Sequence, residues 1–348
     1  MIVKNESKNL PRFLGSVSPH VDCYVIYDTG STDDTVAVIR EYFEQRKIPG
    51  LIERSAFQNF AHNRNEALEA ARRSELAFEY ILRADADMEF FAEPGWKSRL
   101  TEPAYSILLK HAGLEYSLPC LVRRDVPSRY VGVTHEYLDV GNLPRPTIRG
   151  VHYVEHGSGG TRPEKFERDL RLLREGLEAE PSNTRYAFYL ANSLFDLGRF
   201  EEAIAAYERR FAMGGWAEEQ FYSMYRIGCA MLRLGRQDAA IAQMLRTFEM
   251  YPTRAEPLHA VALDAQTRNQ HRIAGMFARA GLEVTKPVGA LFVEAEVYDW
   301  RLADILAVSL YWAGRKGDAI AILQRIMPIA PESERARLQK NIEWCRQR

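Results

Sequence analysis

The pattern Gly-Arg-x-x-x-Ala-Ile stands at residues 198–204, again at 235–241 and again at 314–320. Each copy leads into an alanine-rich stretch of helical periodicity: FEEAIAAYERRF, QDAAIAQMLRTF and DAIAILQRIMPIAP. A weaker unit turns near Arg268-Asn269-Gln270 and continues as HRIAGMFARAGLEV. The small residues fall where the two helices of a hairpin approach closely, and the glycine falls in the turn. Pro252, Pro287 and Pro331 follow the second helices and stop them, because proline has no amide to continue the ladder. Recurrence of one such unit argues for a helical repeat rather than an irregular bundle, and assigns residues 163–348 to an all-α repeat domain.

Residues 1–162 follow a different grammar. Short runs rich in β-branched and aromatic residues, Val21–Asp28, Leu51–Ser55 and Tyr80–Ala84, alternate with helical patterns at Asp33–Gln45 and Phe60–Arg73. That alternation implies a parallel sheet with crossover helices. Beyond Asp87 the pattern turns to strands with little helix: AYSILLKH, YSLPCLVRR, RYVGVTHEYL and PTIRGVHYVEH. The expected fold class is therefore α/β plus all-α, a short Rossmann-like mixed-sheet domain followed by helical repeats.

The apolar run Tyr80-Ile81-Leu82 leads into Asp85 and Asp87, two carboxylates that repel each other. In open α/β sheets ligands bind beyond the carboxyl ends of the strands. A hard divalent cation such as Mg²⁺ or Mn²⁺ would relieve the repulsion and keep positions open for phosphate. A lone D-x-D is a weak signal, since about one is expected by chance in a chain of this length, and it also suits a solvated turn. Here it has company. The strand VIYD runs into Thr29-Gly30-Ser31-Thr32-Asp33-Asp34, where Gly30 suits a tight turn and Ser31, Thr32 or Asp33 suits a helix cap. Asp28 ends that strand, where a carboxylate can accept from an imide or ribose group of a nucleotide, or simply belong to a βα turn.

In order along the chain, MIVKNES, VIYDTGSTDDT, FAHNRNEAL and ILRADADM resemble the family 2 glycosyltransferases of GT-A fold. The continuation GVTHEYL and VEHGSGGTRPEKFERDLRLL is similar to a bacterial subgroup in which a short GT-A domain is fused to tetratricopeptide repeats. The resemblance covers nearly the whole chain. It implies a nucleotide-sugar donor, foremost a UDP-sugar, with Mn²⁺ or Mg²⁺, and inversion at the anomeric carbon. By the same resemblance Asp28 contacts the donor base, and Asn5 and Glu6 form the donor-binding end of the first strand. Arg64 stands on the nucleotide side. Asp85 and Asp87 form the metal motif, with Asp87 on the metal and Asp85 toward the ribose or a metal-bound water. His156 closes over metal and pyrophosphate, an apt role for a neutral imidazole. Gly157, Gly159 and Gly160 let backbone amides near phosphate, with Arg162 or Lys165 adding charge. Inverting transfer needs a base for the acceptor hydroxyl. Glu136 is expected in that role, with His135 orienting it or serving as the base itself.

Met1 stands inside the segment that the resemblance makes the first strand, so that strand is expected to be short or trimmed. The stretch between Asp87 and His135 is compact, so the repeats are expected to help complete the acceptor site through Arg185–Asn192 and Met213–Tyr222. Tyr186, Tyr189, Trp216 and Tyr222 would stack on a sugar or grip a peptide there, although aromatics at helical spacing are more often core. The acceptor classes left open are a glycan, a lipid-linked sugar, a peptide or protein and another small molecule; self-association or a protein partner through the repeats is also open.

A net charge of −1 gives no general pull toward nucleic acid or an anionic membrane. No apolar run nears the ~20 residues that span a bilayer. MIVKNESKN lacks the apolar core of a signal peptide, so the cytoplasm is expected. Cys23, Cys120, Cys229 and Cys345 form no CxxC pair, so no zinc site or disulfide framework is indicated. Two competing classes remain. A repeat-based interaction module with a degenerate nucleotide domain is disfavoured by the intact acidic motif. A nucleotidyltransferase is disfavoured because KNESKNL lacks the glycine-rich loop that holds a triphosphate.

Overall fold

The computed structural model describes residues 1–111, 114–156, 163–287 and 290–347. The chain divides into two compact units, Met1–Gly176 and Leu177–Arg348.

The first unit runs β1 (Ile2–Val3), α1 (Leu10–Val17), β2 (Tyr24–Asp28), α2 (Thr35–Arg46), β3 (Gly50–Arg54), α3 (Phe60–Arg73), β4 (Tyr80–Leu82), β5 (Met88–Ala92), β6 (Ala104–His111), β7 (Leu114–Arg123), β8 (Arg129–Val131), β9 (Tyr137–Asp139) and β10 (Thr147–Glu155). The strands β1-β2-β3 make a parallel sheet in which Val3 lies opposite Asp28 and Asp28 opposite Arg54. Their carboxyl ends, and the loops that follow, therefore gather at one edge. A second sheet has the order β4-β7-β6-β10-β5; only β6 and β10 pair in parallel.

The alternation of strands and helices predicts Tyr80–Ala84 as a member of the parallel sheet. Instead β4 pairs antiparallel with β7, and no ladder among the described residues joins it to β1. A cavity of about 310 Å³ lies between β2 and β4, walled by Tyr24, Val25, Ile26, Ile81, Leu82 and Met1. The stretch RYVGVTHEYL, read as one strand, is a hairpin of β8 and β9. Gly132 at φ 114° and His135 at φ 51° are left-handed, which reverses the chain between them. Two elements have no counterpart in the sequence reading. One is α1, which buries Leu10, Phe13, Leu14 and Val17. The other is β5, antiparallel to β10, which makes the segment carrying Asp85 and Asp87 a link between two strands of one sheet.

The helix α4 (Pro163–Ala179) carries the division between the units within it. The second unit continues with α5 (Thr184–Asp196), α6 (Phe200–Ala212), α7 (Ala217–Arg233), α8 (Gln237–Met250), α9 (Glu256–Thr267), α10 (His271–Leu282), α11 (Leu302–Trp312), α12 (Lys316–Ile326) and α13 (Glu332–Arg346). The pairs α5–α6, α7–α8, α9–α10 and α11–α12 are the repeated hairpins. Gly198, Gly235 and Gly314 take φ of 75°, 74° and 78° at the turns, and Asn269 takes 60° in the third. The first helix of each pair ends in the same motif, a 6→1 bond: Arg199 N–H to Leu194 O, Arg236 to Met231, Gln270 to Ala265 and Arg315 to Leu310. Asparagine tolerates this left-handed position better than other side-chain-bearing residues, which is why the weaker unit keeps the turn without glycine. At Gly228 a Cβ would stand 2.7 Å from the Met244 methyl, so glycine lets α7 and α8 approach. No described helix is long and apolar enough to cross a membrane.

Candidate active site

The loops after β1 and β2 are stitched together by short polar side chains. Asn5, held left-handed at φ 56°, donates its amide to Ser31 Oγ and accepts the Thr32 amide on Oδ1 at 2.8 Å. The Glu6 amide reaches Thr35 Oγ1 at 2.8 Å. Asp33 accepts from Thr35 and from the Ser7 amide. Slight burial pushes its pKa up, but these hydrogen bonds win and hold it at about 2. Asp28 is 1 % exposed. Its Oδ1 accepts the Ser31 amide at 2.9 Å, while Oδ2 is buried with no hydrogen-bond donor on it; the exposed Arg54 guanidinium lies 3.4 Å away.

The helix α3 is the strut of the site, and FAHNRNEA distributes its polar groups accordingly. Asn59 caps the helix by accepting the His62 amide at 2.8 Å. Asn63, fully buried, accepts the Gln58 amide and donates to Ser55 Oγ, Ala56 O and Glu66. Asn65 exchanges two bonds with the backbone of Tyr130, clipping β8 to the helix. Between them Arg64 points inward. Its Nε donates to Glu136 Oε1 at 2.5 Å and its Nη2 to Asp85 Oδ1 at 2.7 Å. Arg83 Nη2 takes the other Asp85 oxygen at 3.0 Å. Burial would raise the Asp85 pKa, but Arg64 and Arg83 more than offset it and hold it at about 2. Burial would likewise lower Arg64, and Asp85 with Glu136 reverses this and raises it. Two cations and two anions thus neutralise one another beneath the acidic motif.

Asp87 is in the opposite condition. Burial, then the charges of Asp85, Glu155 and Glu6, push its pKa up to about 6. Among the described residues no cation pairs with its carboxylate, and Arg12 donates only to its carbonyl, at 3.4 Å. The His156 amide donates to that same carbonyl at 3.2 Å, but the imidazole turns to Glu89, at 2.8 Å. Among the described residues no group of three or more His, Cys, Asp and Glu is arranged to hold a metal. Mg²⁺ and Mn²⁺ bound with substrate phosphates need only one or two protein carboxylates. The uncompensated Asp87 carboxylate fits that requirement.

Asn5, Glu6, Asp28, Arg64, Asp85, Asp87 and Glu136 thus all lie in the first unit, and direct contacts join Arg64, Asp85 and Glu136. Three expectations meet a different arrangement. Glu136 is 8 % exposed at its side chain and engaged by Arg64, so it does not present a free carboxylate. Asp85 is occupied on both oxygens by arginines. The His156 ring addresses Glu89 rather than Asp87. His135 is exposed at its left-handed turn. Gly159 and Arg162, with Gly157 and Gly160, lie outside the described residues; Lys165, on α4, is exposed. The sequence reading overlooked Arg83, Asn63 and Asn65. Arg83 had a signal: a cation at the end of an apolar strand, directly before two acids, needs a partner nearby.

Residues 1–106 match the model of Glycosyl transferase family 2, and residues 222–253 match that of the Tetratricopeptide repeat. The first unit carries a family 2 glycosyltransferase domain. Asn5, Glu6, Asp28, Arg64, Asp85 and Asp87 fall within the matched part of this glycosyltransferase domain, whereas His135, Glu136 and His156 lie beyond it. A TPR repeat-containing protein of Synechococcus elongatus is 30 % identical over 69 % of this chain and 63 % of its own length. The SPbeta prophage-derived glycosyltransferase SunS of Bacillus subtilis is 27 % identical over 59 % of this chain and 50 % of its own. The chain therefore spans less than two thirds of the length of these relatives. A crystal structure of MamA aligns over 50 % of this chain and 86 % of that one, with 16 % identity and a TM-score of 0.38.

Proposed function

We propose that the glycosyltransferase domain moves a sugar from a nucleotide-sugar, foremost a UDP-sugar, to an acceptor hydroxyl in a metal-dependent, inverting reaction. The observation that carries this reading is Asp87: a largely buried carboxylate whose charge is opposed by its surroundings, beside an Asp85 already neutralised by Arg64 and Arg83. Perturbed carboxylates of this kind concentrate at functional sites. Asp87 would hold Mg²⁺ or Mn²⁺, which when bound would neutralise the departing diphosphate. The buried Asp28 Oδ2 supports recognition of an imide N–H of the base. Asn5 and Glu6 shape the loop beside it. In the transfer the acceptor oxygen bonds to the anomeric carbon, the sugar–phosphate bond breaks, and the hydroxyl proton passes to a base. The engagement of Glu136 by Arg64 favours a positioning role for it, with His135 as the base. Arg64 then acts through Asp85 and Glu136, fixing the turn after β4 against the β8–β9 hairpin. The repeats would receive a protein or peptide partner, and a cytoplasmic location suits nucleotide-sugar chemistry.

A donor screen tests the reading. UDP-, GDP- and dTDP-sugars are offered with Mn²⁺, Mg²⁺ or EDTA, and released nucleotide is measured. Slow hydrolysis of one donor, abolished by EDTA, is the expected result. Absence of both release and calorimetric binding for every donor with metal present would leave the repeats as the working part of the chain.

A further inference from the structure

Arg54 closes β3, and the fold makes little use of its charge. In the parallel ladder it lies directly opposite Asp28. Side chains alternate along a strand, so Glu53 and Arg54 leave β3 on opposite faces. Glu53 accepts the Tyr27 hydroxyl at 2.6 Å, while Arg54 comes to Asp28. The backbone beyond it is fixed: the Ser55 amide donates to Asp28 O at 3.1 Å, and Ser55 Oγ accepts from Asn63 at 2.9 Å. The Arg54 side chain is not. It is 74 % exposed, and no hydrogen bond among the described residues holds its guanidinium. Its Nε stands 3.4 Å from Asp28 Oδ2, beyond the roughly 2.7–2.9 Å of a charge-assisted hydrogen bond. An ion pair with so exposed and loosely held a partner contributes little to stability.

What the pair offers is a pattern. Asp28 Oδ2 is a buried acceptor without a donor. Arg54 sets a planar fork of donors beside it, on a side chain free to turn. Acceptor and donor side by side match an edge that carries a ring N–H next to a carbonyl. Uracil, thymine and guanine have such an edge. Cytosine and adenine instead put a ring-nitrogen lone pair at the place of the N–H, which a carboxylate oxygen repels. A buried group built to accept a hydrogen bond discriminates strongly against a ligand that lacks the donor.

We propose that Arg54 is the second reader of the donor base. A ring N–H seats on Asp28 Oδ2, and the Arg54 guanidinium turns from the carboxylate to donate to the carbonyl beside that N–H. The move breaks no hydrogen bond, so displacing Arg54 costs the base little. The inference rests on the nucleotide-sugar reading and deepens it. It confines the donor to uracil, thymine and guanine nucleotides, and it gives the carbonyl half of the recognition to a residue on β3.

The unaltered full chain and Arg54→Ala are titrated by calorimetry with UDP, GDP and CDP in the presence of Mn²⁺; no transfer to an acceptor is needed. The unaltered chain is expected to bind UDP or GDP at least about ten-fold more tightly than CDP. Arg54→Ala is expected to lose about ten-fold for the preferred nucleotide, with CDP unchanged. The ratio of the two affinities then falls, which a general loss of folded protein does not produce. Equal weakening of all three nucleotides would put Arg54 on the diphosphate common to them and overturn the proposal. Unchanged binding of UDP and GDP by Arg54→Ala, or CDP bound as tightly as either by the unaltered chain, would overturn it as well. Each of these results leaves the nucleotide-sugar reading standing. Binding of no nucleotide by the unaltered chain would overturn that reading and this proposal together.

Discussion

Replacing Arg64 with methionine is expected to destabilise the first unit by about 3–5 kcal/mol, the usual cost of removing one member of a buried ion cluster. Arg64 and Arg83 face Asp85 and Glu136 with charges in balance. Methionine keeps much of the volume and none of the charge. Asp85 retains Arg83, but Glu136 loses the only cation it contacts among the described residues, at a site where its side chain is 8 % exposed. A second change tells charge from packing. In Arg64→Met with Glu136→Leu the remaining Arg83–Asp85 pair is again neutral, so much of the loss should return, in the way that buried ion pairs yield to apolar replacements. Urea unfolding of the two variants is the measurement. A loss below about 1 kcal/mol in the single variant would place the cluster among weak surface pairs and remove Arg64 from its role as a strut.

Asp87→Asn should move stability the other way while removing activity. The folded-state pKa of about 6 lies above the usual carboxylate value, so folding disfavours the ionised form. Above pH 6 the folded unit carries that unfavourable charge, and a neutral isostere relieves it. The expected gain at pH 7.5 is on the order of 2–3 kcal/mol. Nucleotide release from the donor identified in the screen should fall by at least ~100-fold, since loss of a direct ligand exceeds the usual effect of disturbing its supports. A residue that costs stability and is needed for turnover is retained for its chemistry. If the variant keeps its activity, Asp87 does not hold the metal; if it loses stability, the acidic surroundings of Asp87 are compensated by something else.

What the sequence disclosed follows the range of the interactions involved. The hairpin turns at Gly198, Gly235, Asn269 and Gly314 are local devices, and local spacing revealed them. Phe60–Arg73 was likewise legible from its helical period; its Asn59 cap was seen only in the structure. The clustering of Arg64, Asp85 and Glu136 joins side chains far apart in the chain, and only the family resemblance placed them near one another. What neither spacing nor resemblance conveyed was pairing: that Arg83 and Arg64 would consume Asp85, and that Glu136 would turn inward. Hydrophobic alternation also says nothing about which neighbour a strand will take, and so β4 was assigned to the wrong sheet. In RYVGVTHEYL the alternation concealed a reversal, because His135 occupies a conformation that its residue type does not announce.

The cavity between β2 and β4 bears on how the first unit responds to compression. Hydrostatic pressure favours whichever state has the smaller volume, and unfolding eliminates internal voids. The space of about 310 Å³ between the two sheets opens to solvent, so compression drives water into it and loosens the seam between β2 and β4. Under a pressure ramp monitored by nuclear magnetic resonance, the signals of Val25 and Ile81 should shift before those of residues elsewhere in the first unit. The seam that yields to pressure lies within the unit that carries Asp28 and Asp87.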